Sequence, residues 1–171
     1  IIVGLILKVT GLSDAMRGIT VIGWAMIIFG IVLYWADQKG PNERTAESWT
    51  LKDAFTMGLW QTLALIPGTS RSGITITAGR VLGYTRTDAA RLSMLMSIPT
   101  IIASAALLGL DVIGTADAGA LRDIGIVIAM SFVAALCALT LMMRLLRSVS
   151  YTPYVIYRIA LGVVLLWIAY T

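Results

Sequence analysis

The sequence has no histidine, a single cysteine and few charges. Without histidine the chain lacks the commonest general acid/base and metal ligand at neutral pH. The lone Cys137, inside an apolar run, excludes an internal disulfide framework and reads as a small buried or lipid-facing side chain. Charged residues make up 13% of the chain, against about 25% in an ordinary soluble domain. No glycine-rich loop ends in Gly-Lys-Ser/Thr, and no G-x-G-x-x-G follows a strand pattern, so neither nucleotide-binding fingerprint is present. The opening residues have no initiator methionine and no charged leader of the signal-peptide kind. Residues 1–9 are too short to cross a bilayer and are expected to close a transmembrane helix already under way, in an N-terminally truncated chain.

What is present is apolar: 58% hydrophobic residues and a mean hydropathy of +0.90. The expected fold class is all-α, a polytopic helical membrane protein forming a single transmembrane domain over 1–171. Spanning helices are expected at about 15–36, 88–110, 124–143 and 154–170. The net charge of +4 then marks cytoplasmic loops and not a nucleic-acid partner. Tyr34 and Trp35 suit a membrane interface. Residues 37–53 read as a solvated loop, with Ser48 and Asp53 near the next helix start, and 111–123 reads as a short polar loop. Thr87 or Asp88 is expected to cap the helix that follows 85–91, and Pro99 to kink it. Thr152-Pro153 reads as an N-cap followed by a first-turn proline.

Residues 51–82 break this regularity. Pro67-Gly68-Thr69-Ser70-Arg71-Ser72-Gly73-Ile74-Thr75 interrupts two apolar halves, each shorter than a crossing, and Arg71 is the only charge between Asp53 and Arg80. The pattern allows a re-entrant hairpin or one long broken crossing. Counting lysine and arginine separates the two. If 37–53, 80–91 and 144–158 share the cytoplasmic side, they hold nine (Lys39, Arg44, Lys52, Arg80, Arg86, Arg91, Arg144, Arg147, Arg158), against three opposite (Lys8, Arg17, Arg122). That bias exists only if 51–82 enters and leaves on one side, so the hairpin is expected, with the carboxyl terminus outside.

The loop has the chemistry of an anion cradle. Pro67 should stop the incoming helix at Ile66, and Gly68 and Gly73 permit tight turns. A helix restarting after Gly73 would point free N–H groups and its positive dipole end into the loop. Arg71 adds a fork of donors suited to phosphate, and Ser70, Ser72 and Thr75 add hydroxyls. The competing reading is structural: small and hydroxyl residues also line helix contacts in membranes, and an intramembrane arginine can serve as a brace.

The run from Gln61 to Thr75 resembles the second signature, P-G-x-S-R-S-G-x-T, of the bacterial undecaprenyl-diphosphatase family of bacitracin-resistance membrane phosphatases, and matches each fixed position. Asp88–Pro99 and Tyr157-Arg158 with Gly162 are similar to the family as well. The resemblance implies two inverted repeats, each with a re-entrant hairpin, of which this chain would be the second. It implies hydrolysis of undecaprenyl pyrophosphate to the monophosphate carrier used in cell-wall synthesis, on the outer side of the bacterial cytoplasmic membrane. By that resemblance Ser70, Arg71 and Thr75 are catalytic, and Ser72 and Gly73 join them in holding the substrate phosphates. The implied partners are a polyprenyl pyrophosphate lipid and the bilayer, and a homodimer is compatible. The family's acidic first signature is absent here, so the acid/base groups and any Mg or Ca ligands are expected in the missing N-terminal half, no metal ligand is assigned, and the fragment alone is expected to be inactive. A different class of function also fits: half of a flippase or carrier for a lipid phosphate or other anion, binding at a half-helix N-terminus.

Overall fold

The computed structural model describes residues 18–113, 118–146 and 148–171. The expectations for 1–9, for the first residues of the helix at 15–36, and for Lys8, Arg17 and Arg147 in the charge count lie outside these residues. Six α-helices follow in order: α1 Ile19–Lys39, α2 Leu51–Thr62, α3 Arg71–Val81, α4 Arg86–Ile113, α5 Ala118–Leu145 and α6 Thr152–Tyr170. Short 3-10 turns at Ala46–Ser48 and Leu63–Leu65 flank α2. No strand occurs among the described residues. The chain is all-α, and α1, α4, α5 and α6 each contain a stretch long and apolar enough to cross a membrane.

Helices α2 and α3, of 12 and 11 residues, fall well short of the ~20 a crossing needs. They form a hairpin whose two feet meet. The Tyr84 hydroxyl just after α3 donates to Asp53 in the first turn of α2 at 2.9 Å. Arg44 adds a two-pronged ion pair to the same carboxylate, at 3.1 and 2.7 Å. The hairpin therefore enters and leaves at one end of the bundle, as the charge count requires. The same end gathers the C-terminus of α1 and the N-termini of α4 and α6. The Asp37 carboxylate on α1 receives Arg86 at 2.7 Å and the Tyr151 backbone N–H at 3.3 Å, and lies 3.5 Å from Arg80. Arg80 also donates to the backbone oxygens of Asp37, Gly40, Pro41 and Tyr84.

These pairs correct the reading of 37–53 as merely solvated. Asp37 and Asp53 are buried, and Arg80 is 2% exposed. The guanidinium of Arg44 holds the Asp53 carboxyl well below the usual carboxylate range, helped by Thr50 and Tyr84 and opposed by burial.

Local chemistry also shifts several caps. Thr50, not Ser48, starts α2 through a capping box with Asp53. Before α4, the Thr85 hydroxyl accepts from Asp88 N–H at 3.1 Å and donates to the Asp88 carboxylate at 2.7 Å. Tyr151, not Thr152, is the N-cap of α6. Helix α4 runs on through Pro99. The loop expected at 111–123 is helical through Ile113 and again from Ala118, consistent with the helix-favouring alanine and leucine content there.

α1 and α6 pack backbone to backbone. A Cβ at Gly23 would lie 2.8 Å from Leu166, and one at Gly162 would lie 2.9 Å from the Gly23 carbonyl, the small-residue crossing expected where no hydrophobic effect drives helices together. The hairpin tip rests on this pair: Gly68 abuts the backbone of Ile22. Ile22 lies about 22 Å along α1 from Asp37, at 1.5 Å per residue, so the tip reaches most of the way across a hydrocarbon core of about 30 Å. It ends near the far pair of aromatics, Trp24 and Tyr170, whose polar atoms lie 3.4 Å apart.

Candidate anion-binding site

The hairpin tip is built by three local constraints. Ile66 is extended ahead of Pro67. Gly68 has φ +89°, a left-handed conformation, and a Cβ there would sit 2.5 Å from the Ile22 carbonyl, so glycine is required twice over. The Ser70 hydroxyl then caps α3 by accepting from Gly73 N–H at 3.1 Å.

Helix α3 consequently begins at Arg71, earlier than the restart after Gly73 expected from the sequence. The first-turn N–H groups of Arg71 and Ser72 have no acceptor within the helix, and they lie at its positive dipole end. The Ser70 and Ser72 hydroxyls are 3.2 Å apart on this rim. Gly73 is buried directly beneath them.

Thr75 stands differently. Its hydroxyl bonds the Arg71 carbonyl at 2.9 Å and the Ser93 hydroxyl of α4 at 2.5 Å, and the residue is 1% exposed. It fixes the first turn of α3 against α4 from behind, while Ser70, Arg71 and Ser72 form the open edge. Arg71 lines a cavity of about 390 Å³ with Gln61, Thr62 and Thr100. Across it the Gln61 amide donates to Thr100 at 3.1 Å.

A second cation reaches the loop that the sequence reading placed elsewhere. Arg158 was counted among the cytoplasmic flanks, yet it lies inside α6 and is 3% exposed. One terminal nitrogen donates to the Gly68 carbonyl at 2.7 Å. The other lies 3.1 Å from where a Cβ on Gly73 would be, so Gly73 is the gap that admits it. Arg158 Nε is buried without a hydrogen-bond partner, as are the Thr69 hydroxyl and, at the feet, Arg80 Nε. The available signal was position: Arg158 follows Pro153 by more than a helical turn within an apolar stretch, where an ionisable residue calls for a functional reading.

No carboxylate forms an ion pair with Arg71 or Arg158 among the described residues. Two guanidinium groups, a helix N-terminus and two hydroxyls without a counter-anion among the described residues make a donor set whose chemistry suits an anion. The same donor set does not fit a divalent cation, which takes carboxylate and carbonyl oxygens, and no group of three or more Asp, Glu, Cys or His side chains occurs among the described residues.

Residues 1–164 match the protein family described as bacitracin resistance protein BacA. The chain is 66% identical over 170 residues to a protein of Jannaschia sp. (strain CCS1) named undecaprenyl-diphosphatase, covering 99% of this chain and 64% of that one. A protein of the same name from Ruegeria pomeroyi is 65% identical over 171 residues, covering 100% and 64%. One from Chromohalobacter salexigens is 42% identical over 170 residues, covering 99% and 64%. The chain thus spans 64% of the length of these curated relatives.

Proposed function

The chain belongs to the bacitracin resistance protein BacA family, and from that premise we propose that it supplies the phosphate-binding part of a membrane phosphatase that converts undecaprenyl pyrophosphate and water to undecaprenyl phosphate and orthophosphate. The observation that carries this reading is that Arg71 and buried Arg158 both stand at the start of α3, with no carboxylate paired to either among the described residues. The substrate is that of the relatives named undecaprenyl-diphosphatase.

Hydrolysis requires a water oxygen to attack the terminal phosphorus while the bridging P–O bond breaks and the lipid phosphate leaves. Charge accumulates on the equatorial and leaving oxygens, and positioned cations and dipoles stabilise it. Arg71 spans oxygens of the two phosphates with its planar fork. Ser70, Ser72 and the N–H groups of Arg71 and Ser72 hold the remaining oxygens. Arg158 sets the loop through Gly68 and adds its field from beneath. Thr75 positions the turn from which Arg71 departs. These residues offer no proton acceptor, so the group that deprotonates water, and the ligands of any Mg or Ca ion, are assigned to the portion of the relatives' length that this chain does not span.

The depth of the tip supports a side for the reaction. Positive residues gather at the foot of the hairpin, which favours a cytoplasmic position for that end and supports the reading that the loop lies toward the outer face of the bacterial inner membrane. Cell-wall carrier recycling is the corresponding role.

The test is orthophosphate release from undecaprenyl pyrophosphate by membranes containing the gene product. Arg71→Ala should lower the rate at least ~100-fold, the scale of losing one electrostatic stabiliser. Arg71→Lys should recover only part, because a point charge lacks the two-pronged geometry. A wild-type product that binds the lipid and moves it across vesicles without releasing phosphate would replace hydrolysis by transport.

A further inference from the structure

A second cavity, of about 250 Å³, lies on the other side of the first turn of α3 from Arg71, enclosed by α1, α3, α4, α5 and α6. Ser72 and Gly73 form its polar end, and Leu33, Ile76, Met94 and Met142 its body. Its polar wall groups are already engaged. Ser72 pairs with Ser70 and Ser93 with Thr75. Ser150 pairs with Thr152, and the Tyr151 hydroxyl donates to the Arg86 carbonyl at 2.9 Å. An ordered water needs two to four polar partners, and an apolar cavity of about 150 Å³ without them stays dry and takes up a small hydrocarbon. This one is larger, and its lining is predominantly apolar. Its rim, at Leu145 on α5 and Tyr154 on α6, is exposed, which gives a lateral way in from the bilayer.

From its continuity with the anion loop at Ser72 and Gly73, we infer that this cavity binds the branched hydrocarbon nearest the phosphates of a prenyl phosphate. This rests on the proposed function for the identity of the head group, whereas the cavity's preference for a short branched hydrocarbon stands without it. One helix start then separates two tasks. The Arg71 face takes the charge, and the Ser72–Gly73 face takes the first part of the tail. The tail descends from the loop toward the foot of the hairpin, the direction a lipid of the outer leaflet already points.

Saturable binding of radiolabelled farnesol, farnesyl phosphate, dodecanol and inorganic phosphate to the purified chain in detergent tests this. Farnesol should bind, and more tightly than straight-chain dodecanol. Met142→Trp, which fills the cavity from α5, should weaken farnesol at least ~10-fold and leave inorganic phosphate unchanged. Arg71→Ala should do the reverse, reducing farnesyl phosphate to the affinity of farnesol. Met94→Phe fills the same space from α4 and serves if the first variant does not fold. A photoreactive farnesol analogue should label peptides containing Met142 or Tyr154 in the unmodified chain. Farnesol binding that is unsaturable, equal to dodecanol, insensitive to a folded filling variant, or labelled elsewhere overturns the assignment. Farnesol bound as expected with no phosphate released by the gene product would instead keep the tail site and reject the phosphatase reading.

Discussion

The two ends of the hairpin hold arginines in opposite states. At its feet Arg44, Arg80 and Arg86 are each matched to a carboxylate, and Arg80 to four backbone oxygens besides. At its tip Arg71 and Arg158 have no carboxylate among the described residues, and the hydrogen bond that Arg158 makes goes to the Gly68 carbonyl. A guanidinium held by a carboxylate and several backbone oxygens is structure, even where Nε makes no hydrogen bond, as in Arg80, whose Nε lies 3.5 Å from the Asp37 carboxylate. One without a carboxylate, beside helix-start N–H groups and hydroxyls, has donors left over that suit an anion. Burial alone would not have separated them, since Arg80 and Arg158 are 2% and 3% exposed.

Substitutions at the two ends should therefore differ in kind. The largest effect belongs to Asp37→Ala, which strands Arg80 in a buried site without its counter-charge and should cost on the order of 3–5 kcal/mol. Thermal unfolding in detergent would show it as a large fall in Tm. At the tip, Arg158→Ala should reduce phosphate release about tenfold or more, with a far smaller change in Tm, since a charge-assisted bond to one loop carbonyl is worth about 1.5–3 kcal/mol. Equal losses of Tm at both ends would erase the distinction. Gly68→Ala follows, as strain of roughly 1–2 kcal/mol in the left-handed region comes with a contact against Ile22, so activity should fall more than global stability. Acid is the mildest probe. Asp53 has a lowered folded-state pKa, so its contribution is complete above the unfolded value near 4 and is lost as pH drops below that. Acidification from pH 5 to pH 3 should loosen the feet, seen as faster hydrogen exchange at Arg44 and Tyr84, and Asp53→Asn should abolish that pH dependence.

Much of this was legible in the residues. Hydropathy marks α1, α4, α5 and α6, and the Pro67-Gly68 break with the lysine and arginine count specifies a hairpin returning to its starting end. The motif placed Ser70, Arg71 and Ser72 on one rim. The misreadings share a cause, which is that pattern gives a residue's place along the chain and not the direction of its side chain. Thr75 looked like another loop hydroxyl but faces Ser93, because it is one helical turn beyond Arg71 and its hydroxyl reaches back to that carbonyl. Arg158 looked like a flank because it is near other cations in sequence, while its long side chain carries the charge to Gly68. Asp37 looked solvated, though two arginines from distant segments close over it.

The crossing of Gly23 and Gly162 sets a measuring scale for the rest. Arg158 stands one helical turn before Gly162 on α6, and Ile22, which supports Gly68, immediately precedes Gly23 on α1. The spacing between cation and loop is thus inherited from how closely two bare backbones touch. A methyl group added at position 162, pressed against the Gly23 carbonyl and the Ile27 side chain, would act as a shim: it would widen the crossing and draw the guanidinium away from the carbonyl it braces. Tolerance for error at this greasy contact should accordingly be as narrow as at the charged residues themselves.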